Sequence, residues 1–528
     1  MLLLALLGTL AAASSGIQSG RASDFYVDSL PGVVHAELLP EMHAGRLEVG
    51  SKMGASDASM FFWHFRASQP TNKTIVWFNG GPGCSSMDGA LLEVGPLRFV
   101  NNNLTASPRD SWTELANMLF VDQPFGTGFS DPQDPAWISS LEQAGDAVTM
   151  FLLEYAKVFP ELLASEIVLA GESFAGQYIP HIYRSLQQSH EAHEKIKVAG
   201  LALINPWIDP ANQYLSYVPF IKENHLVSED NFEGLDRLHD FCLHTLERGD
   251  YGFSVSQCEQ ITDFMNGRYK DPKKCFNAYD ISLESPAPSC GMEWPYELPN
   301  VGDWLNRQDV RDALHVEQQG PKDSWRECSS SVQHVIKNGQ ISREFLPSVL
   351  QSAPLLLMIG DNDYVCNRIG LDRMVKSMEW KGGIGLSDTV LPSQLDWGSF
   401  ISDRGLSVAH VSNASHMVPY DHLKESIDVL KHWLYNDEPV TANPEPISGN
   451  HTDPAAGDTD SAPSRGDINK AVSQAYKRAA LVFVGVFLGL VVVFGVVCYF
   501  RGGVIQKTSK ERGDYVPLHD VQADEFEV

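Results

Sequence analysis

Basic residues are scarce in this 528-residue chain, in which 39 Lys and Arg stand against 67 Asp and Glu, for a formal net charge of −28. A protein that binds nucleic-acid phosphates needs a basic face, so this balance argues against nucleic acid as a partner. No internal repeat is visible either. The hydrophobic share of 43% suits a globular protein with a sizeable core.

Long charge-free runs are also rare, and the two that stand out lie near the ends of the chain. The first predicts a signal peptide over residues 1–22, cleaved after Ala13 or Ala22. The second, residues 479–500, would span about 33 Å as a helix, which matches a bilayer core of about 30 Å. A buried helix is the alternative for the first run. Together the runs predict a single-pass type I protein with a lumenal body and a cytosolic tail, residues 501–528.

Cysteine is sparse as well, with eight residues in the whole chain. Cys498 lies in the predicted membrane helix, which leaves seven cysteines on the lumenal side. Lumenal conditions favour disulfides, and an odd number leaves one thiol unpaired. Four N-glycosylation sequons are present, at Asn72, Asn103, Asn413 and Asn450.

Residues 23–435 have the pattern of one α/β unit. Helical stretches at 140–157 and 174–188 separate short buried strands, which predicts a largely parallel sheet with helices on both faces. Between about 208 and 330 strong strand patterns vanish, and we expect an insertion placed over the sheet. Residues 436–478 are polar, acidic and rich in proline, which predicts a disordered lumenal stalk.

A serine at a strand-to-helix junction is the first candidate catalytic residue. Ser173 follows a buried strand and precedes a helix, with the small residues Gly171 and Ala175 two positions to either side. This is the setting of a nucleophile elbow, although the strict Gly-x-Ser-x-Gly pattern is not met. A serine at a helix start can also be a simple cap.

An acid and a histidine must follow such a serine in chain order. The later strand Leu355–Gly360 is followed by Asp361 and Asp363, and the strand Leu406–Val411 leads to a loop that contains His416. His410 lies within that last strand. Order alone does not choose among these residues.

Four segments in this order resemble the signatures of the serine carboxypeptidases. The resemblance covers roughly residues 24–435 and implies an α/β-hydrolase fold with a cap insertion. The matching segments are Trp77-Phe78-Asn79-Gly80-Gly81-Pro82-Gly83-Cys84-Ser85-Ser86, Gly171-Glu172-Ser173-Phe174-Ala175-Gly176, Gly360-Asp361-Asn362-Asp363 with Cys366, and His416-Met417-Val418-Pro419.

The resemblance assigns a catalytic role to three side chains. Ser173 would attack the scissile carbonyl, His416 would take its proton, and Asp363 would orient the imidazole. Asp363 is thereby selected over Asp361, and His416 over His410. The backbone N–H groups of Gly81 and Phe174 would form the oxyanion hole.

The same resemblance implies how a free C-terminus would be recognised. Asn79 and Gly80 would bind the substrate's terminal carboxylate together with Glu93 and Glu172. Two buried carboxyls this close share a proton, and the protonated form donates a hydrogen bond to the substrate. No cofactor and no metal is implied.

The family pattern also implies the cysteine pairing. It links Cys84 with Cys328, and it leaves two local pairs in the insertion and Cys366 as a free thiol near the substrate. The local pairs are Cys242–Cys258 and Cys275–Cys290.

The membrane run, stalk and tail resemble the branch of the family that processes pheromone precursors in the fungal trans-Golgi network. This resemblance implies peptide substrates ending in Lys or Arg. Within the tail, Tyr515-Val516-Pro517-Leu518 resembles an adaptor-read sorting signal. The alternatives are an acyltransferase that uses the same triad, and a non-catalytic lumenal receptor on the same fold.

Overall fold

The computed structural model describes residues 20–50, 58–132, 138–249, 251–316, 324–336 and 339–435. Most of the expected signal peptide, the stalk, residues 479–500 and the tail lie outside these ranges. None of the helices in the described ranges has the length and apolar character needed to cross a bilayer.

Within the described ranges, ten strands form one mixed sheet and six further strands form three small two-stranded sheets. The large sheet has the order β1-β2-β6-β3-β7-β8-β11-β16-β15-β14. The strands are β1 (Met42–Glu48), β2 (Ser59–Phe65), β3 (Lys73–Phe78), β4 (Leu97–Val100), β5 (Asn103–Ala106), β6 (Asn117–Val121), β7 (Glu166–Glu172), β8 (Val198–Ile204), β9 (Lys274–Phe276), β10 (Glu284–Pro286), β11 (Leu355–Gly360), β12 (Glu379–Trp380), β13 (Gly383–Ile384), β14 (Ser393–Leu395), β15 (Gly398–Asp403) and β16 (Leu406–Val411).

The six central strands, from β6 to β16, are parallel, and this confirms the expected sheet. Antiparallel strands extend it at both edges. Strand β2, which lies between the edge strand β1 and β6, is buried along its whole length. Phe62 packs against Tyr155 on one face, while Trp63 stacks on Trp304 on the other. This two-sided cover explains why β2 shows no alternation of polar and apolar residues.

The helices form layers on both faces of the sheet, as the sequence predicts. They are α1 (Leu141–Val158), α2 (Ala175–Gln188), α3 (His190–Lys195), α4 (Pro210–Tyr214), α5 (Tyr217–Glu223), α6 (Phe232–Glu247), α7 (Ser256–Asn266), α8 (Leu298–Leu305), α9 (Gln308–Ala313), α10 (Ser330–Val335), α11 (Leu346–Ser352), α12 (Arg368–Ser377), α13 (Val418–Asp421) and α14 (Leu423–Tyr435).

Two hydrophobic cores result, because successive strand residues point to opposite faces. In β3, Val76 joins a core that includes α1 and α2, whereas Ile75 and Trp77 join a second core that includes α14. Helix α1 begins at a serine cap, where the Ser140 side chain accepts a hydrogen bond from the backbone N–H of Gln143.

The insertion lies between β8 and β11 and is mainly helical. Its helices continue to Ser352, beyond the end predicted near residue 330. Within it, disulfides join Cys242 to Cys258 and Cys275 to Cys290. A third disulfide, Cys84–Cys328, fastens the insertion to the loop after β3. The insertion is therefore fixed to the sheet next to the glycine-rich loop.

Candidate active site

Ser173 occupies the sharp turn between β7 and α2. Its φ of +58° lies in the left-handed region, which non-glycine residues rarely adopt away from functional sites. A Cβ on Gly171 would lie 2.1 Å from the carbonyl oxygen of Phe78 and 2.9 Å from the Cβ of Ala175. The turn therefore requires glycine two positions before the serine, and it leaves room only for a small residue two positions after it.

His416 and Asp363 form a buried hydrogen-bonded pair. The imidazole Nδ1 lies 2.7 Å from Asp363 Oδ2, and the two residues are 4% and 0% exposed. Asp363 Oδ1 also accepts a hydrogen bond from the backbone N–H of Cys366. Ser173 and His416 line the same cavity. The structure thus brings the three predicted triad residues to one place.

Asp361 and His410, the alternative acid and histidine, lie next to charged side chains outside the triad. Asp361 lies 3.9 Å from the guanidinium of Arg368, and His410 Nε2 lies 3.4 Å from a carboxylate oxygen of Asp372. The choice of Asp363 and His416 thus has a structural basis.

The glycine-rich loop after β3 rests directly on the serine turn. A Cβ on Gly80 would lie 2.5 Å from the backbone nitrogen of Phe174, and Gly81 has a φ of +105°. Within the described ranges, the backbone N–H groups of Gly81 and Phe174 donate no hydrogen bond to the protein. Both residues line a cavity together with Ser173. Two free N–H donors beside a serine are the geometry that an oxyanion hole requires.

Asn79 joins the two predicted carboxyls. Its Nδ2 donates to Glu172 Oε1 at 2.9 Å and to Glu93 Oε1 at 3.2 Å. Its Oδ1 accepts hydrogen bonds from the Trp77 indole and the Gly89 backbone, which fixes the orientation of the amide.

Both carboxyls of this pair have raised pKa values. Burial raises the pKa of Glu172 well above its usual range, and the negative charge of Glu93 and a hydrogen bond to Glu93 raise it further. Burial also raises the pKa of Glu93, but hydrogen bonds from Glu172 and Asn79 oppose that effect. The two carboxyls are therefore costly to ionise together, and Glu172 is the one whose pKa is raised further.

Two further acids, which the sequence analysis missed, line the same cavity of about 160 Å³. Asp88 is 5% exposed, and burial followed by the charges of Glu327, Glu93 and Asp122 raises its pKa well above the usual range. Burial also raises the pKa of Glu327. The only sequence signal is position, since Asp88 follows the glycine-rich segment and Glu327 immediately precedes Cys328.

A second cavity of about 660 Å³ opens on the other side of Ser173. Aromatic side chains, most of them from the insertion and its borders, form part of its wall, and Glu259 contributes one carboxyl. The aromatic residues are Phe174, Trp207, Tyr214, Tyr217, Phe253 and Tyr279.

The thiol of Cys366 is free and buried in this second cavity's wall. One ligand-type atom from each of Asp363, Cys366 and His416 lies within 4.8 Å of the others, a spacing that a metal ion could bridge. Burial, and then the charge of Asp363, raise the pKa of the Cys366 thiol well above its usual range. The imidazole Nδ1 of this group is already hydrogen-bonded to Asp363 Oδ2 at 2.7 Å, which is the arrangement of a catalytic histidine–aspartate pair.

Three of the four sequons lie on the surface. The side chains of Asn72, Asn103 and Asn413 are exposed, and Asn413 belongs to the same loop as His416. Asn450 lies outside the described residues.

A serine at a strained strand-to-helix turn, a histidine–aspartate pair and two free N–H donors on a parallel α/β sheet define a serine hydrolase of the α/β-hydrolase class. The serine carboxypeptidase family model matches residues 31–436, and the chain belongs to that family. The expected resemblance is confirmed, and the protein is a serine-type carboxypeptidase.

Two curated relatives illustrate the similarity. The pheromone-processing carboxypeptidase KEX1 of Tuber melanosporum is 39% identical over 441 residues, which cover 79% of this chain and 70% of that protein. The protein of the same name from Leptosphaeria maculans is 36% identical over 525 residues, which cover 93% of this chain and 80% of the relative.

A solved structure is also similar. The crystal structure of Kex1(delta)p, a prohormone-processing carboxypeptidase from Saccharomyces cerevisiae, aligns with a TM-score of 0.71 and 33% identity. The alignment covers 78% of this chain and 96% of that one.

Proposed function

We propose that this enzyme removes C-terminal Lys and Arg residues from peptides during the processing of pheromone and other propeptides. The observation that carries the proposal is the cavity beside Ser173, which combines the Asn79–Glu172 pair with the buried acids Asp88 and Glu327. The relatives' names, pheromone-processing and prohormone-processing carboxypeptidases, support the same substrate class.

The proposed chemistry is acyl transfer to a serine. Ser173 attacks the last peptide carbonyl while His416 accepts its proton, and the hydrogen bond from Nδ1 to Asp363 stabilises the imidazolium that forms. The N–H groups of Gly81 and Phe174 stabilise the oxyanion. His416 then protonates the leaving amine, which is the released C-terminal residue, and water completes the cycle.

The free carboxylate of the substrate is proposed to lie against Asn79, Gly80 and Glu172. Burial raises the pKa of Glu172, so this carboxyl is protonated at mildly acidic pH, and its Oε2 has no hydrogen-bond partner among the described residues. A substrate carboxylate that approaches Glu172 can accept a hydrogen bond from this carboxylic acid, so a negative group is bound without a fixed positive charge.

Asp88 and Glu327 are proposed to select the basic side chain. Both carboxyls are costly to ionise while the cavity is empty, because they are buried and close to other acids. The ammonium or guanidinium of a C-terminal Lys or Arg offsets that cost, whereas an apolar side chain does not. The residue on the other side of the scissile bond would occupy the aromatic cavity.

The test of this function compares two peptides ending in Arg that differ only in C-terminal amidation. Hydrogen bonds to a charged group contribute about 1.5–3 kcal/mol, so amidation should slow hydrolysis by about one to two orders of magnitude. Glu93→Gln should reduce that discrimination, because the pair can no longer share its proton. Equal rates on both peptides would end the carboxypeptidase assignment and favour a general acyltransferase, and no hydrolysis of either would favour the receptor.

The proposed location is the trans-Golgi membrane, with the enzyme domain in the lumen. The support is the sequence alone: the signal segment 1–22, the apolar run 479–500, and the tail with a sorting signal at Tyr515–Leu518. A chain that ends near Lys470 should be secreted in active form. Recovery of that truncated chain as an integral membrane protein would contradict the proposed anchor.

A further inference from the structure

Each of five neighbouring parallel strands is followed by a polar side chain that lies in the active site or contacts one of its loops. The loops after β3, β7, β11 and β16 carry Asn79, Ser173, Asp363 and His416. Strand β8 lies in the middle of this series, and the residue at its end is Asn205. This residue is fully buried and has a φ of +36°, in the left-handed region.

The Asn205 side chain binds the loop that carries the catalytic histidine. Its Nδ2 donates to the carbonyl oxygen of His416 at 2.7 Å and to that of Ser415 at 2.9 Å. Its Oδ1 accepts a hydrogen bond from the backbone N–H of Gly360 at 3.0 Å, at the end of the strand that leads to Asp363. One amide therefore connects the histidine loop with the aspartate loop.

The backbone on either side of Asn205 binds the nucleophile. The N–H of Ser173 donates to the carbonyl of Ile204 at 3.0 Å, and the carbonyl of Ser173 accepts from the N–H of Trp207 at 2.8 Å. Residues 204–207 thus contact the loops of all three triad residues. The aspartate and histidine loops are also closely packed against each other, since a Cβ on Gly360 would lie 2.2 Å from the carbonyl oxygen of Ser415.

We infer that Asn205 is a positioning residue, which sets the His416 imidazole relative to Ser173 by fixing the three triad loops to one another. Only asparagine meets the local demand. Two carbonyl oxygens need donors and one N–H needs an acceptor, and the side chain must be short and tolerate a positive φ. Aspartate has the same size but lacks both donors when ionised. The inference rests on the proposed triad, but it adds a residue that touches no substrate.

The first test measures kcat, KM and the inhibition constant of free arginine for Asn205→Asp, with kcat normalised to the Ser173 that an organophosphonate can titrate. A misplacement of about 1 Å costs about a hundredfold in rate, so kcat per titrated serine should fall by about that factor at pH 7. KM and the arginine inhibition constant should change by less than threefold, because the substrate-binding acids are unaffected.

The pH dependence provides a signature that a purely structural role lacks. Below the pKa of the introduced carboxyl, the carboxylic acid donates one of the two lost hydrogen bonds. The ratio of Asn205→Asp to wild-type kcat should therefore rise as the pH falls from 7 to 5. Asn205→Gly tolerates the positive φ but has no side-chain amide. It should be equally slow, and its kcat relative to wild type should not rise as the pH falls.

A matched control is Asn117→Asp at the opposite end of the sheet. The Asn117 amide also donates to a backbone carbonyl, that of Lys73, and accepts from a backbone N–H, that of Ala67. This control should keep normal kcat per titrated serine. If folded Asn205→Asp and Asn205→Gly also keep kcat per titrated serine within threefold of wild type, the positioning role is wrong. Failure of the carboxypeptidase assignment would instead appear as equal rates on free and amidated peptides.

Discussion

The two walls of the cavity at Ser173 come from different parts of the fold and are determined in different ways. One wall is the carboxyl end of the parallel sheet, where Ser173 and His416 are placed by strand register. The other wall comes from the insertion, which contributes Tyr279, Trp294 and Glu327. That wall is fixed by disulfides and by its contacts with the sheet loops. The sheet wall carries the triad residues together with Asn79 and Asp88, and the insertion wall adds Glu327 beside Asp88.

The contact between the walls is close. The backbone N–H of His416 donates to the carbonyl of Tyr279 at 2.8 Å, and the two rings lie 5.1 Å apart. The insertion therefore contacts the catalytic histidine directly. A change in the triad should affect every substrate, whereas a change in Asp88 or Glu327 should affect some substrates more than others.

The largest effect should follow from Ser173→Ala. Without the nucleophile, turnover of every peptide should fall by about five to six orders of magnitude, as for other serine hydrolases that lose this group. Thermal unfolding should be nearly unchanged, because the alanine fits the same turn. Turnover within tenfold of wild type in a folded variant would remove Ser173 from the mechanism.

The next effect is the pH dependence of kcat/KM, which should depend on the protonation of Glu172 for peptides with a free C-terminal carboxylate. The pKa of Glu172 is raised, so its proton is present at mildly acidic pH and is lost as the pH rises through the raised value. The value of kcat/KM for a peptide acid should then fall by about tenfold per pH unit on the alkaline side. Together with the need for a neutral imidazole, this predicts an acidic to mildly acidic optimum.

The matched measurement uses the amidated peptide and the variant Glu172→Gln. The amidated peptide has no terminal carboxylate to accept the Glu172 hydrogen bond. Its hydrolysis is slower, and its kcat/KM should not decline at alkaline pH. Glu172→Gln should lack it as well, since the amide of glutamine donates at every pH. A profile that climbs steadily to pH 9 on the peptide acid would contradict the proton's proposed role.

The smallest effect is on stability and comes from Asp88→Asn. The folded-state pKa of Asp88 is raised, so the folded protein binds this proton more tightly than the unfolded chain does. Stability is therefore lost as the pH rises above the unfolded pKa, and removal of the carboxyl relieves that loss. The variant should melt higher than wild type at pH 8, by on the order of 1–2 °C, and show a smaller difference at pH 5. A lower melting temperature of the variant at pH 8 would contradict the claim that the buried Asp88 carboxyl is costly to ionise.

The two walls also differ in how far the sequence predicts them. The parallel strands, the turn at Ser173 and the acid–histidine order follow from buried apolar runs and from the small residues Gly171 and Ala175. These patterns are local and reflect steric demands of single turns. The choice of Asp363 over Asp361 needed the family resemblance, because both residues follow the same strand.

The remaining residues depend on contacts that are distant in sequence. Asp88 and Glu327 lie in one cavity because their segments are joined by the Cys84–Cys328 disulfide, across 244 positions, and by a hydrogen bond from the Ser85 N–H to the Glu327 carbonyl. Asn205 contacts His416, which is 211 positions away. The antiparallel strand β2 was not predicted, since burial on both faces removes its alternation. No local pattern encodes these features.

The most direct test of the account asks whether the acids of the cavity determine selectivity without determining chemistry. The measurement is kcat/KM for two peptides that end in Arg or in Leu, with the wild type, Asp88→Asn, Glu327→Gln and the double variant. Each charged contact should contribute about 1.5–3 kcal/mol, so the Arg-over-Leu preference should fall by about tenfold or more per variant. The rate on the Leu peptide should stay within threefold of wild type. An unchanged preference in the double variant, or an equal loss on both peptides, would contradict the separation of chemistry from selectivity.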